Sequence, residues 1–272
     1  MRKLLSTVLV MCMLAFASVA FAATEISDDG YVEVDGVGEP GQSYSAGIRA
    51  AELVAFRKAA EAIGDMNLDS ESSVEQGLTQ NDTIRTKLNA VLHRAKVVNE
   101  YRDSNGYYHA TVRVPVFGSH SSVASAVLPK NEKIEAFPKP QAKVVTAAEH
   151  VKESHDTVVL VGGYTGVIID CRGLGLTTAM SPVIKTDKGE KVYGYKNLNS
   201  DVVISKGMAS YAKSTTENVS RAGAKPLIIK AVNVDGYGSP CNPVISTMDA
   251  NRMLAENANS HFLDKCAVVF VR

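Results

Sequence analysis

The stretch AKVVNEYRDSNGYYHATVRVPVFG, residues 95–118, carries the clearest local pattern of the sequence. Apolar and polar residues alternate on both sides of Asp103-Ser104-Asn105-Gly106, a run whose asparagine and glycine favour a tight turn. The pattern predicts a β-hairpin with one buried face and one solvated face. The residues expected on the buried face are Tyr108, Ala110, Val112, Val114 and Val116.

An alanine-rich helix is predicted before this hairpin, over residues 46–64. A stripe at helical spacing is expected to face the core, with four alanines beside it that allow close approach to a neighbouring backbone. Gly64 fits the C-terminal cap. The stripe consists of Leu53, Phe56, Ala60 and Ile63, and the alanines are Ala51, Ala55, Ala59 and Ala62.

Three further elements complete this half of the chain. Residues 31–36 alternate like a half-buried strand, and the polar residues 67–78 predict a weak strand at a sheet edge. A second helix is expected from Asp82, with Asn81 or Asp82 as its cap. The element order β-α-β-α-β-β predicts an antiparallel sheet with two helices on one face.

The second half contains another patterned region after a proline-rich segment. Strands are expected over 157–161, 167–169, 227–234 and 267–271, with a hairpin over 184–196 and a helix that Ser246 and Asp249 begin. The fold class predicted is α+β, with two small domains that each have a mainly antiparallel sheet and helices packed on one face. The predicted divisions are a signal peptide 1–22, an α+β domain 23–128, a Pro/Lys-rich linker 129–156 and a C-terminal domain 157–272.

The first 22 residues have the pattern of a secretory signal. Arg2 and Lys3 precede an apolar stretch from Leu4 to Ala17, and Ala20-Phe21-Ala22 is a small-x-small cleavage site. The apolar stretch is too short for a retained membrane span. We therefore expect a periplasmic or secreted protein with no membrane span after cleavage.

The charge balance limits the classes of partner that the protein can bind, and the cysteine count limits the disulfides that it can form. The chain has 29 basic and 29 acidic residues, a balance that does not attract nucleic acid. Three cysteines follow the signal peptide, namely Cys171, Cys241 and Cys266. A Cys241–Cys266 disulfide is the pairing we prefer because both residues flank the last predicted helix, and three buried reduced thiols are the alternative.

The glycine-rich stretch VVLVGGYTGVIIDCRGLGL, residues 158–176, raises the question of an active site. Its glycines run into a strand, whereas a phosphate-binding loop runs into the N-terminus of a helix. Along that strand Asp170 and Arg172 should pair on the solvated face, which leaves Cys171 in the core. The interpretation as a strand turn is favoured over that of a thiol nucleophile at Cys171.

Two polar clusters are candidates for metal ions. His150 and His155 lie in AEHVKESHD, but their spacing of five does not align them on one helical turn. Asp65, Asp69 and Glu71 lack the order of a calcium-binding loop. We therefore expect no catalytic residue, no cofactor and no metal site.

Tyrosines are the candidates for an interaction surface. Tyr101, Tyr107 and Tyr108 cluster at the first hairpin, and Tyr193 and Tyr195 lie on the second. Tyrosine is common at contact surfaces because it combines apolar area with a polar tip. Ordinary cross-strand packing is the alternative.

Residues 36–116 resemble the LPP-twenty lipoprotein family and the N-terminal domain of flagellar assembly protein T. The shared marks are the A-x-x-x-A helix after a glycine turn, a polar strand before a second helix, the AKVVNEY strand and the VRVPV ending. The resemblance implies a small αβ module of bacterial envelope and flagellar-ring proteins, and it implies no enzyme activity. The acylated cysteine of the lipoproteins is absent from this module.

These observations predict a non-catalytic exported protein, a structural or assembly component of the cell envelope or of the flagellar basal-body ring. Its partners would be envelope proteins, and oligomer formation is left open. The alternative is a periplasmic thiol-dependent or hydrolytic enzyme that uses the Cys171 region.

Cleavage after Ala22 is the first testable prediction. The exported protein should begin at Ala23 because the peptidase recognises the small residues Ala20 and Ala22. Mass spectrometry of the intact protein measures this directly. An uncleaved N-terminus, or a lipid on Cys12, would contradict it.

Overall fold

A computed structural model describes residues 26, 30–118, 120–146 and 157–272. The α+β class is confirmed, because the chain contains both helices and strands and the strands form several sheets. No helix in the described part of the chain is long and apolar enough to cross a membrane.

A three-stranded antiparallel sheet forms the N-terminal half. Strand β1 is Tyr31–Gly38, β2 is Lys96–Arg102 and β3 is Tyr108–Pro115. The strand order is β1-β3-β2, so β3 lies in the centre and β2 is an edge. The predicted hairpin and its buried face are confirmed, because alternate residues of β3 are buried from Tyr108 to Val114.

Helix α1, Tyr44–Gly64, covers one face of this sheet. The prediction of its inner face was partly wrong: Leu53 is 69% exposed and Ala60 is also exposed. The buried side is the alanine row Ala51, Ala55, Ala59 and Ala62, with Ile48 and Ile63. A Cβ atom on Gly36 of β1 would lie 2.0 Å from the carbonyl oxygen of Ala51, so no side chain fits at Gly36. The facing side of α1 has room only for the methyl groups of its alanines.

The rest of the N-terminal half is helical. The polar residues predicted as an edge strand instead form helix α2, Val74–Gln80, after a single bridge between Asn67 and Ser73. Ser73 and Gln76 form a capping box, which explains why this sequence prefers a helix. Helix α3, Asp82–His93, begins at the predicted cap Asn81, and α4 is Val123–Val127. Helix α1 is followed by Asp65 as its cap, so Gly64 is the last helical residue and not the cap.

The C-terminal half contains ten strands and two helices among its described residues. In chain order they are β4 Lys143–Thr146, β5 Thr157–Leu160, β6 Gly166–Asp170, β7 Ile184–Thr186, β8 Lys191–Tyr193, α5 Ser200–Lys206, β9 Ser210–Ala212, β10 Pro226–Lys230, β11 Asn233–Asp235, β12 Asn242–Ile245, α6 Thr247–Ser260 and β13 Val268–Val271.

A parallel sheet with the order β10-β6-β13-β9 lies at the centre of this half. Strands β6 and β13 have almost no exposed residue, which is typical of parallel strands covered on both faces. A second sheet, β11-β12-β7-β8, mixes both directions, and β4 pairs with β5 in parallel. The pairing is therefore more varied here than the antiparallel pattern expected from the sequence.

Most of the predicted C-terminal elements are found. Strands β7 and β8 form the expected hairpin, and Ser246 caps α6 by accepting from Asp249 N at 3.0 Å. The strand expected over 227–234 is divided into β10 and β11.

The described part of the proline-rich segment 129–156 lies along the C-terminal half. Asn131 Nδ2 donates to Tyr195 O at 2.7 Å, and the ring of Phe137 stacks on Tyr193 with centroids 6.2 Å apart. Gln141 N donates to Asn251 Oδ1 at 2.7 Å. These contacts fix the path of residues 131–141.

The two halves also touch directly. Met180 N donates to Asn67 O at 2.9 Å, and Gly118 N donates to Ile204 O at 3.0 Å. The ring of Phe117 lies against Gly207, where a Cβ atom would be 3.1 Å from it. Independent folding of residues 23–128 stays a prediction.

Enlarging the alanine row should destabilise the protein. Ala55→Leu should lower the free energy of unfolding by about 1–3 kcal/mol, because the leucine would overfill the contact between α1 and β1. Ala60→Leu, on the exposed side of the same helix, is the matched control and should change it by less than about 0.5 kcal/mol. Urea unfolding measures both, and equal effects would contradict the packing described.

Candidate functional site

The glycine turn between β5 and β6 is held by a carboxylate from the same chain. Gly162 and Gly163 both have φ of +72°, the left-handed conformation expected from their sequence. Glu256 of α6 is buried, and its carboxylate accepts from Val161 N at 2.7 Å and from Gly162 N at 3.0 Å. The backbone donors that a phosphate would need are therefore already paired with Glu256.

Gly166 lets β6 enter the parallel sheet. A Cβ atom at this position would lie 2.6 Å from both Ala222 Cα and Ala267 O, so β6 approaches the backbone of both residues closely. The turn and the start of β6 are thus fixed by packing and by internal hydrogen bonds.

Cys171 is a core residue at the end of β6. Its side chain has no exposed surface, and its thiol lies 3.8 Å from Ile169 O. Asp170 and Arg172 pair with each other, with Arg172 Nη2 at 2.7 Å from Asp170 Oδ2, as their alternation with Cys171 predicted. The hydrogen bond from Arg172 lowers the pKa of Asp170.

The Cys171 thiol lacks the features of a nucleophile. Burial, followed by the charge of Asp170, raises its pKa to about 12, whereas a reactive cysteine needs a lowered pKa. None of the histidines in the described ranges, His93, His109, His120 and His261, hydrogen-bonds to Cys171, Asp170 or Arg172.

Cys241 and Cys266 are also free and buried, so the preferred disulfide is not formed in the structure. The Cys241 thiol lies 3.7 Å from Asn242 Oδ1, and burial raises its pKa to about 11. The Cys266 thiol interacts with the Tyr193 hydroxyl. Cys241 precedes α6 and Cys266 follows it, and the two thiols have different surroundings. The structure therefore agrees with the alternative to the disulfide, in which all three thiols are buried and reduced.

Neither polar cluster considered as a metal site is seen as one in the described residues. His150 and His155 lie outside the described residues. Asp69 Oδ1 accepts from Glu71 N and Ser72 N, each at 2.9 Å, and so stabilises a turn. Within the described ranges no group of three His, Cys, Asp or Glu side chains is placed to hold a metal ion.

The structure separates the three tyrosines of the first hairpin. Tyr108 is 1% exposed under the start of α1, and its hydroxyl donates to Gln42 O at 2.6 Å, so it does not belong to a surface. Tyr101 and Tyr107 are 46% and 37% exposed. Of the tyrosines on the second hairpin, Tyr193 is buried and its hydroxyl donates to Met208 O at 2.7 Å.

Tyr101 belongs to the face of the N-terminal sheet opposite α1, which we call the outer sheet face. Its ring stacks on His109, with centroids 4.6 Å apart, and His109 pairs across the sheet with Val37 of β1. These three side chains form one row across the strands. The outer sheet face comprises Tyr31, Glu33, Asp35, Val37, Lys96, Asn99, Tyr101, His109, Thr111 and Arg113.

Several polar side chains of the outer sheet face are bonded to one another. Arg113 Nε donates to Glu33 at 2.6 Å, and Thr111 Oγ1 donates to Asp35 at 2.6 Å. Burial opposes ionisation of Asp103, but hydrogen bonds from Tyr107 N, His109 and Asn105 N lower its pKa. The hairpin turn beside Tyr101 is thereby held in one conformation.

Sequence reasoning missed a groove beside α3. A cavity of about 720 Å³ lies between α3 and residues 120–130, with Lys87 and Arg94 at its edge. The spacing of seven between these two residues places them on one helical face, and this was the signal in the sequence. The opposite wall could not be assigned without the fold.

The structure thus defines an α+β protein with a sheet face that no other described element covers, a side groove and buried thiols. Residues 166–272, from the start of β6 onward, match the protein family described as the second domain of Tp0624 from Treponema pallidum. No curated protein matches the chain. The outer sheet face lies before the matched residues.

Substitutions of Cys171 should affect stability. Cys171→Ser should lower the free energy of unfolding by about 1–3 kcal/mol because it places a hydroxyl in an apolar site, and Cys171→Ala should cost less. The thiol of the folded protein should also resist labelling at neutral pH until a denaturant is added. A normally stable Cys171→Ala protein that lost an activity would contradict this interpretation.

Proposed function

We propose that this protein is an exported, non-catalytic component of the bacterial cell envelope that works by binding other proteins. The observation that carries the proposal is the outer sheet face, with its row of Val37, His109 and Tyr101, in which Val37 and Tyr101 are exposed and His109 is half-buried. The export pattern of residues 1–22 and the resemblance of residues 36–116 support the envelope location. Within the envelope, the resemblance is compatible with a general envelope component and with a component of the flagellar basal-body ring.

The row across the outer sheet face has the chemistry of a protein contact. Tyr101 is stacked on His109 and so loses little conformational freedom when a partner covers it. Large aromatic side chains contribute most of the binding energy in many interfaces. Val37, 41% exposed, extends the apolar area to the other edge of the sheet.

Hydrogen bonds among the polar residues beside this row lower the free-energy cost of desolvating the outer sheet face. Glu33 is already paired with Arg113, and Asp35 accepts from Thr111. A partner that covers the Glu33–Arg113 pair does not leave either of these two charges unpaired. The guanidinium of Arg113 also lies 5.0 Å from the ring centre of Tyr31, which orders the far end of the face.

The buried thiols fit an oxidising compartment and a non-catalytic role. Cys171, Cys241 and Cys266 are all buried, and burial raises the pKa of each thiol. Thiols that are shielded and protonated react slowly with oxidants and with disulfides. This supports a binding component over a thiol-dependent enzyme.

Site-specific photo-cross-linking in the cells that encode the protein tests the proposal. With benzoylphenylalanine in place of Tyr101, we expect one dominant adduct, whose partner mass spectrometry should identify as an envelope or flagellar-ring protein. The matched control carries the same group in place of Tyr237, which is the most exposed tyrosine of the described residues and lies outside the outer sheet face.

Two results would contradict the proposal. One is an identical set of adducts from positions 101 and 237, which would show non-specific proximity. The other is recovery of the protein in the cytoplasm with its first residues intact. In addition, Tyr101→Ala should weaken capture of the identified partner without changing the thermal unfolding of the protein.

A further inference from the structure

The groove between α3 and residues 120–130 is a second candidate binding site. Thr83, Lys87, Ala90 and Arg94 line one wall at the spacing of a single helical face. The other wall runs from His120 to Lys130 and includes α4. Apolar side chains form the floor, namely Ile84, Val91, Ala126, Val127, Leu128 and Ile204.

The groove is formed before any ligand binds, because its walls are fixed to the core. Ser122 and Ser125 make a capping box that holds α4 in place. Asn131 N donates to Ser200 Oγ at 2.7 Å, directly after the wall ends. A preformed site loses little entropy on binding.

The charge of the groove has one sign. Lys87, Arg94 and Lys130 line it together with His120, and among the described residues no aspartate or glutamate does. No described acidic side chain forms an ion pair with any of the three cations. The chain as a whole has equal numbers of basic and acidic residues, so this segregation is a local property.

Arg94 is oriented toward the rim of the groove. Its Nη1 donates to Ser121 Oγ at 2.8 Å, which joins the two walls at that point. The remaining donors of the guanidinium stay available, and a guanidinium binds carboxylates in a bidentate geometry.

We propose that this groove binds an acidic segment of a partner protein in which apolar side chains lie between the carboxylates. The apolar floor would receive the hydrophobic side chains, and Lys87, Arg94 and Lys130 would pair with the carboxylates at the rim. The cavity volume of about 720 Å³ is within the range of specific ligand sites. This site is separate from the outer sheet face, so the inference goes beyond the function proposed above.

The lining favours a peptide over other anions. Single-stranded nucleic acid is bound by aromatic side chains on which bases stack, and no aromatic residue of the described ranges lines the groove. A membrane surface binds through apolar side chains that project from the protein, whereas the apolar residues here form the floor and the rim is polar. A segment with alternating acidic and apolar residues matches both features.

Fluorescence anisotropy of a labelled peptide of alternating glutamate and leucine tests the proposal with the signal-cleaved protein. We expect saturable binding that weakens with added salt, and a peptide with glutamine in place of glutamate should bind at least roughly tenfold more weakly. The double variant Lys87→Glu/Arg94→Glu should lose roughly tenfold or more in affinity. Arg85→Glu, an exposed cation of α3 that does not line the groove, is the matched control.

A second pair of variants separates the groove from general charge attraction. Ala90→Phe fills the groove without changing the charge and should abolish saturable binding. Asn89→Phe, an exposed residue of the same helix that does not line the groove, should leave it intact. Thermal unfolding followed by circular dichroism should show that all variants remain folded.

Three results would overturn the proposal. Failure of the acidic peptide to bind would exclude acidic segments as the ligand. Binding unchanged by Ala90→Phe would exclude the groove as the binding site. Binding to phosphatidylglycerol vesicles that depends on Lys87 and Arg94, without peptide binding, would assign the surface to the membrane instead. None of these results would bear on cross-linking at position 101.

Discussion

Close approach of one backbone to another, at positions without a side chain, is the constraint on which both halves of this protein depend. In the N-terminal half, Gly36 allows β1 to lie against the Ala51 carbonyl of α1. In the C-terminal half, Gly166 allows β6 to pass between Ala222 and Ala267. Because α1 covers only one side of its sheet at this short distance, the opposite side remains available to a partner.

Features that depend on neighbouring residues were predictable from the sequence. The hairpin at Asp103–Gly106, the cap at Ser246 and the alternation of Asp170, Cys171 and Arg172 each follow from a local pattern. The left-handed turn at Gly162 and Gly163 belongs to the same class. In every case the residues that decide the structure lie within a few positions of each other.

Features that depend on which elements meet were not predictable. Leu53 and the alanines of α1 fit the helical period equally well, and only the proximity of Gly36 decides that the alanines face inward. Tyr108 resembles Tyr101 in the sequence, but it lies beneath the first turn of α1. The groove requires α3 and α4 to lie side by side, which no periodicity specifies. The parallel order around β6 likewise arises from pairing between distant segments.

The contact between Glu256 and the glycine turn has a consequence for the order of folding. Its two partners, Val161 and Gly162, precede Glu256 by 95 and 94 residues, so the turn cannot reach its final hydrogen bonding until α6 has been synthesised and docked. Until then the backbone donors at this turn stay solvated, and the β5–β6 connection is exposed to proteases. Contacts of such long sequence separation form slowly. A chaperone that holds the unfolded chain would therefore act longest on this connection.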